Sequence, residues 1–163
     1  MKVLPLIIFA LWFSPVRAQT GELKLIVKKS DCILKAYQGD SLMKVFPVAV
    51  GRNQGDKQRK GDNRTPEGEF VISKIHDSRS WVHDFGDGKG PIPGVYGPWF
   101  LRLDTGSDRT RSGKTWTGIG FHGTHDPTSI GTMATEGCVR LRNEDLEELK
   151  RLVSPGTPVT IIR

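Results

Sequence analysis

Apolar and polar side chains alternate with a period of two along several short stretches of this chain, and with a helical period along only one. Leu23, Leu25 and Val27 interleave with Lys24, Ile26 and Lys28, a mostly period-two pattern that predicts a strand with one face buried. A second strand is predicted from about Cys32 to Tyr37. Gln38-Gly39-Asp40 then supplies turn residues before the apolar run Leu42 to Val50, so the two segments read as a hairpin. Further strands are expected at Glu69 to Ile75, Trp99 to Leu103, Gly118 to His122 and Val159 to Ile162. The helical spacing occurs at Leu146, Leu149, Leu152 and Val153. Asn143 stands where an N-cap belongs, with Glu144, Asp145, Glu147 and Glu148 early, Lys150 and Arg151 late, and Pro155-Gly156 as the stop. Strands outnumber helices, which predicts a mainly β fold of two packed sheets with one principal helix near residues 144–153.

Two long segments lie outside this pattern. Residues 51–68 are polar, charged and glycine-rich, and Thr65-Pro66-Glu67-Gly68 makes a sharp turn into the next strand. Residues 76–97 hold many Gly, Pro and Asp but also Trp81, Phe85 and Tyr96, the composition of an ordered loop that shapes a site. At the start, Met1-Lys2 is followed by an almost wholly apolar run from Val3 to Phe13 and by Val16-Arg17-Ala18, the pattern of a leader cut before Gln19. That run is eleven residues long, and a membrane-crossing helix needs about 20. The expectation is therefore a cleaved signal peptide at 1–18, a single domain at 19–163 and an exported, periplasmic or secreted location.

Charge narrows the partners. The chain carries a formal +6, which becomes +4 without Lys2 and Arg17, and Arg52, Lys57, Arg59, Lys60 and Arg64 hold most of the surplus. No aromatic residues interleave with that cluster as base-stacking would require, so nucleic acid is not expected and the cluster reads as a solvated loop. An oxidising compartment favours disulfides, and the chain holds two cysteines, Cys32 and Cys138. Cys32 lies against Ile33 and Leu34 and reads as a small buried hydrophobe, unpaired.

Cys138 carries the chemistry. His122-Gly123-Thr124 and Thr135-Glu136-Gly137-Cys138-Val139-Arg140 place an imidazole, a thiol and a guanidinium within one short segment. Thiols attack carbonyls as thiolates, and an ordinary cysteine with a pKa of about 8.5 needs a histidine or a cation beside it, roles open to His122 and Arg140. Arg140 lies two residues beyond Cys138 and so on the same face of an extended segment, where it can hold a substrate carboxylate.

These residues resemble the catalytic domain of the L,D-transpeptidases, cysteine enzymes that remodel bacterial peptidoglycan. In that family a His-Gly-Thr element precedes Ser/Thr-x-Gly-Cys-x-Arg. Gly51, Thr65-Pro66-Glu67-Gly68 with Phe70, and Gly156-Thr157-Pro158-Val159 fit its other motifs, so the likeness covers nearly all of residues 19–163. One departure is Glu136, where many members have histidine, a carboxylate that opposes thiolate formation unless it points away or pairs with Arg140 or Arg142.

The resemblance implies that Cys138 is the nucleophile and His122 its base, oriented by the Gly123 carbonyl. Backbone N–H groups of Gly137 and Cys138 become candidate oxyanion donors, and Arg140 and Thr135 candidate substrate contacts, Thr135 with a local hydrogen bond in the turn as its other role. The implied reaction releases D-alanine from a stem tetrapeptide and passes the resulting thioester to an amine, with no metal or other cofactor. Three other readings stand beside it: a hydrolase acting on the same stem peptides, a zinc site built from His122, His125, Cys138 and Asp126 or Glu136, and an inactive wall-binding module. His76 and His83 read as surface groups.

Overall fold

The computed structural model describes residues 21–163; the leader expected at 1–18 lies outside them. Twelve strands, one α-helix and two single 3-10 turns make up the described residues. Strands β1 (Leu23–Lys28), β2 (Ile33–Gln38) and β3 (Ser41–Pro47) form an antiparallel meander, with Gln38 paired to Ser41 across the predicted turn. Leu25 and Val27 of β1 and Leu34 and Ala36 of β2 are fully buried, as the alternation requires. In β3 only Phe46 is buried, so the apolar run at 42–50 does not lie in the core along its whole length.

The remaining strands are β4 (Val50–Gly51), β5 (Gly68–Asp77), β6 (Val82–His83), β7 (Ile92–Pro93), β8 (Trp99–Asp104), β9 (Gly120–His122), β10 (Met133–Thr135), β11 (Val139–Arg140) and β12 (Pro158–Ile162). Eight of them form one mixed sheet in the order β11-β9-β8-β5-β12-β1-β2-β3, while β4 with β10 and β6 with β7 make two small sheets. The large sheet nearly closes on itself. Ala49, two residues beyond β3 at one edge, donates its N–H to the Arg140 carbonyl of β11 at the other edge and accepts the Arg140 N–H, both at 2.8 Å. That bridge occupies backbone groups of the edge strand that would otherwise be open to another chain.

The helix α1 (Asn143–Leu152) packs on β8 and β9 through Leu146 and Leu149, both fully buried, with acidic residues in its first turn and basic ones in its last. Asn143 is not its cap. The capping residue is Arg142, which makes no side-chain cap bond, and the Asn143 amide is used elsewhere.

The 51–68 segment is only in part the solvated basic loop its composition suggests: Arg52, Arg59 and Lys60 are exposed, but Lys57 is buried and paired. The Asp62 carboxylate accepts the N–H groups of Gln58, Arg59 and Arg64 at 2.7, 3.1 and 3.2 Å and the Lys57 ammonium at 2.8 Å. Lys57 is buried, with its ammonium 5.3 Å from the Trp116 ring centroid. A second buried charge, Lys29, meets Glu67 at 2.9 Å and donates to the carbonyls of Gly55 and Thr65. Turn residues and charge marked this stretch as loop; their mutual neutralisation, invisible in composition, pins it to the body of the protein.

Candidate active site

Strand register brings the site together. Parallel strands β9 and β11 pair Phe121 with Val139 and His122 with Arg140. Side chains alternate along a strand, so His122 and Arg140 share one face, and Cys138, one residue before β11 and two before Arg140, joins them. On the other side of β9, Phe100 of β8 pairs with His122. Its ring lies parallel to the imidazole, 5° between planes and 5.9 Å between centroids, while Tyr96 meets the same imidazole edge-on at 5.0 Å. His122, Cys138 and Arg140 open into a cleft of about 300 Å³ that is also lined by Lys57, Lys60, His83, Tyr96 and Glu136. Two roomier hollows, beside Arg111 and beside Arg79, contain neither thiol nor imidazole.

The imidazole is held in one tautomer. His122 Nδ1 lies 2.7 Å from the Gly123 carbonyl oxygen, which only accepts, so Nδ1 carries the hydrogen and Nε2 is left with a free lone pair. Gly123 itself is clamped. Asn143 accepts the Thr124 N–H at 2.8 Å and donates to the Thr124 carbonyl at 3.1 Å, and a Cβ on Gly123 would come 2.1 Å from the Asn143 Oδ1. A short amide at a helix start predicts a cap equally well, so sequence does not distinguish this clamp from one.

Desolvation disfavours the charged form of both His122 and Cys138. Burial, with help from the positive charge of Arg140, pulls the His122 pKa down to about 3. Burial likewise pushes the Cys138 thiol up to about 11, with Glu136 adding to the rise and the Gly120 N–H and Arg140 opposing it. The sulfur contacts the Gly118 carbonyl at 3.2 Å, so the thiol hydrogen points there. No disulfide joins Cys32 to Cys138, and Cys32 is buried, as expected of a packing residue.

The local hydrogen bond anticipated for Thr135 is present, and it takes up the Gly137 N–H. Thr135 Oγ1 donates to the Cys138 carbonyl at 2.6 Å and accepts the Gly137 N–H at 3.1 Å. Its hydroxyl is thereby engaged inside the turn, and Thr135 is buried and does not line the cleft. The same bond removes Gly137 from the free donors. Among the described hydrogen bonds none uses the Cys138 N–H, which remains the available one. Glycine is needed at 137 for another reason: its φ is +137°, and a Cβ there would come 2.8 Å from the Arg64 carbonyl oxygen.

Arg140 is buried and donates through Nη1 to Ser129 Oγ at 2.9 Å, while its Nε has no partner. Glu136 pairs with neither Arg140 nor Arg142. It meets the His83 Nε2 instead, at 3.6 Å. His83 is thus no plain surface group: it lines the cleft and packs against Phe85 at 4.6 Å and Tyr96 at 5.9 Å. Nor is His76, whose Nε2 is buried and whose ring packs on Trp81 at 5.5 Å. Among the described residues, no three His, Cys, Asp or Glu side chains converge as a metal would need, and His125 packs instead near Phe85, 6.2 Å between centroids.

The family model for the L,D-transpeptidase catalytic domain, YkuD, matches residues 23–161. The chain belongs to that family. The L,D-transpeptidase domain here is 31% identical over 139 residues to a Bacillus licheniformis protein named for L,D-transpeptidase YkuD, covering 85% of this chain and 64% of the relative. A Bacillus subtilis protein of the same name is 33% identical over 122 residues, 75% of this chain and 55% of the relative. The chain thus spans a little over half to about two thirds of the length of these relatives. Among solved structures, the catalytic domain of an Enterococcus faecium L,D-transpeptidase aligns with a TM-score of 0.61 at 17% identity, covering 89% of this chain and 100% of that one. An L,D-transpeptidase from Mycobacterium smegmatis aligns at 0.60 and 18%, over 87% of this chain and 59% of that one. At those identities the structural likeness speaks for the L,D-transpeptidase fold: mainly β, packed sheets and one helix.

Proposed function

We propose that this protein acts on peptidoglycan stem peptides outside the cytoplasm as a cysteine L,D-transpeptidase. Cys138 attacks the carbonyl before a terminal D-alanine. The thiol proton passes to His122 Nε2 and then to the departing amine, leaving an acyl thioester that an amine of a second stem resolves into a crosslink. The observation that carries this reading is that the β9–β11 register turns thiol, imidazole and guanidinium to one face of one cleft.

The resting pKa values fit a proton moved during attack. Burial penalises a lone thiolate and a lone imidazolium, but moving the proton between the two keeps their net charge at zero and sets opposite charges side by side. To reach His122 the hydrogen must leave the Gly118 carbonyl it contacts at rest. As the carbonyl becomes tetrahedral, its oxygen can take the unused Cys138 N–H, an interaction of the kind that contributes about 3 to 4 kcal/mol in enzymes where one such donor was removed. Arg140, whose guanidinium lines the cleft, is placed to hold a stem carboxylate. Thr135 and Gly123 hold nucleophile and base in place without touching substrate.

Incubating residues 19–163 with disaccharide-tetrapeptide and weighing the products tests the proposal. Crosslinked dimers with loss of D-alanine are the expected result, together with a mass adduct that Cys138→Ala abolishes. Tripeptide monomers without dimers would assign the thioester to hydrolysis. No adduct and no product would overturn the role given to Cys138.

A further inference from the structure

Charge is unevenly distributed in the cleft. Lys57, Lys60 and Arg140 line it with cations, and Glu136 is the one carboxylate among its lining residues. The Lys57 ammonium is already committed to Asp62 at 2.8 Å. Glu136 differs from the other acids near the site. Asp62 is sealed in its loop by three N–H groups and a lysine, whereas the Glu136 side chain is 48% exposed and meets only His83, at 3.6 Å. Its position, two residues before the nucleophile, puts a negative charge where it works against ionising the sulfur. A carboxylate at the cleft rim that hinders the first half of the reaction has its use in the second half, when a cation must come to the thioester.

We propose that Glu136 is the acceptor-recognition residue: its carboxylate docks the ammonium of the incoming amine beside the acylated Cys138. This inference rests on the thioester reading above. The donor stem, rich in carboxylates, lies toward Arg140, and the cationic acceptor enters over Glu136, between the His83 edge and the sulfur. Once docked, the ammonium releases one proton to solvent. The amine lone pair then attacks the thioester carbonyl, the C–N bond forms, the C–S bond breaks, and the second amine proton passes through His122 to the departing sulfur, restoring the thiol. No oxidant, metal or nucleotide enters the balance.

The test compares two acceptors on one acyl-enzyme. Nα-acetyl-lysinamide is cationic at neutral pH through its side-chain amine, and methoxyamine is uncharged. With thioester formed from the tetrapeptide donor, kcat/KM for acyl transfer is measured for each acceptor in the wild type, Glu136→Gln and Glu136→Asp. The expected result is a loss of about threefold to fivefold for the lysinamide relative to methoxyamine in Glu136→Gln, the scale of a half-exposed ion pair, carried by the acceptor KM. Glu136→Asp should restore most of the preference. A cation-to-neutral ratio unchanged in Glu136→Gln would overturn this inference while leaving the thioester mechanism standing. A wild-type Cys138 that never acquires the acyl group would overturn both.

Discussion

At the residue scale, the site is built from groups made neutral by burial. His122 lies between the Phe100 ring and Arg140, which explains a pKa near 3: one neighbour cannot solvate a cation and the other repels it. Cys138, raised to about 11, is held as the thiol at neutral pH. Alkylation of Cys138 by iodoacetamide, followed by peptide mass mapping so that Cys32 is scored separately, should therefore be slow at neutral pH and still climbing above pH 9. The sign follows from desolvation, which favours the uncharged thiol, so thiolate appears only as pH approaches about 11. A rate that levels off near pH 8.5 would contradict this. Sequence supplied the identities of thiol and base, but not the direction of their pKa shifts. His122 and Arg140 read as activators of the thiol; Arg140 does oppose the rise of the thiol pKa, while burial keeps the His122 imidazole neutral.

At the element scale, short segments hold the reacting atoms, and polar side chains hold the segments. The β9 strand ends at His122, and the following Gly123-Thr124 is fixed by Asn143 at the start of α1 through paired bonds of 2.8 and 3.1 Å. Replacing Asn143 with Ala strands the Thr124 N–H and carbonyl. It should cost about 1 to 3 kcal/mol in urea unfolding, and it should lower kcat more than KM because the Gly123 carbonyl that orients His122 loses its brace. Unchanged stability would show that water replaces both bonds. The periodicity located β1, β2, β5, β8, β9, β12 and α1 to within a few residues, because each buries one face against the core. It missed β4, β6, β7, β10 and β11, two or three residues long and too short to show a period. Asn143 was legible as a residue of the helix start, yet its role depends on a turn nineteen residues upstream that only folding brings near.

At the scale of the whole molecule, the sheet curls until Ala49 bridges Arg140, so the strand beside the nucleophile is held from both sides. The 51–68 loop lies against this closure and is tied down by Lys29 and Glu67, which are 8% and 4% exposed. Removing one partner of a buried pair leaves an uncompensated charge. Lys29→Met should therefore destabilise the fold by about 3 kcal/mol, the low end of the usual range because Arg111 still reaches Glu67 at 2.6 Å. Adding Glu67→Gln should recover more than half of that loss in denaturant titrations, and failure to recover would mean the lysine acts through its bonds to Gly55 and Thr65 instead. The sequence by itself determined the strand-rich class, the one amphipathic helix, the family and the identity of the thiol, imidazole and guanidinium, since periodicity and local motifs are properties of neighbours along the chain. Tertiary structure alone decided that Thr135 and the Gly137 N–H are spent on each other, that Lys57 is buried, and that Glu136 faces His83 across the cleft rim. Hydrogen-bond capacity and burial depend on what arrives from elsewhere in the chain, and no local pattern encodes that.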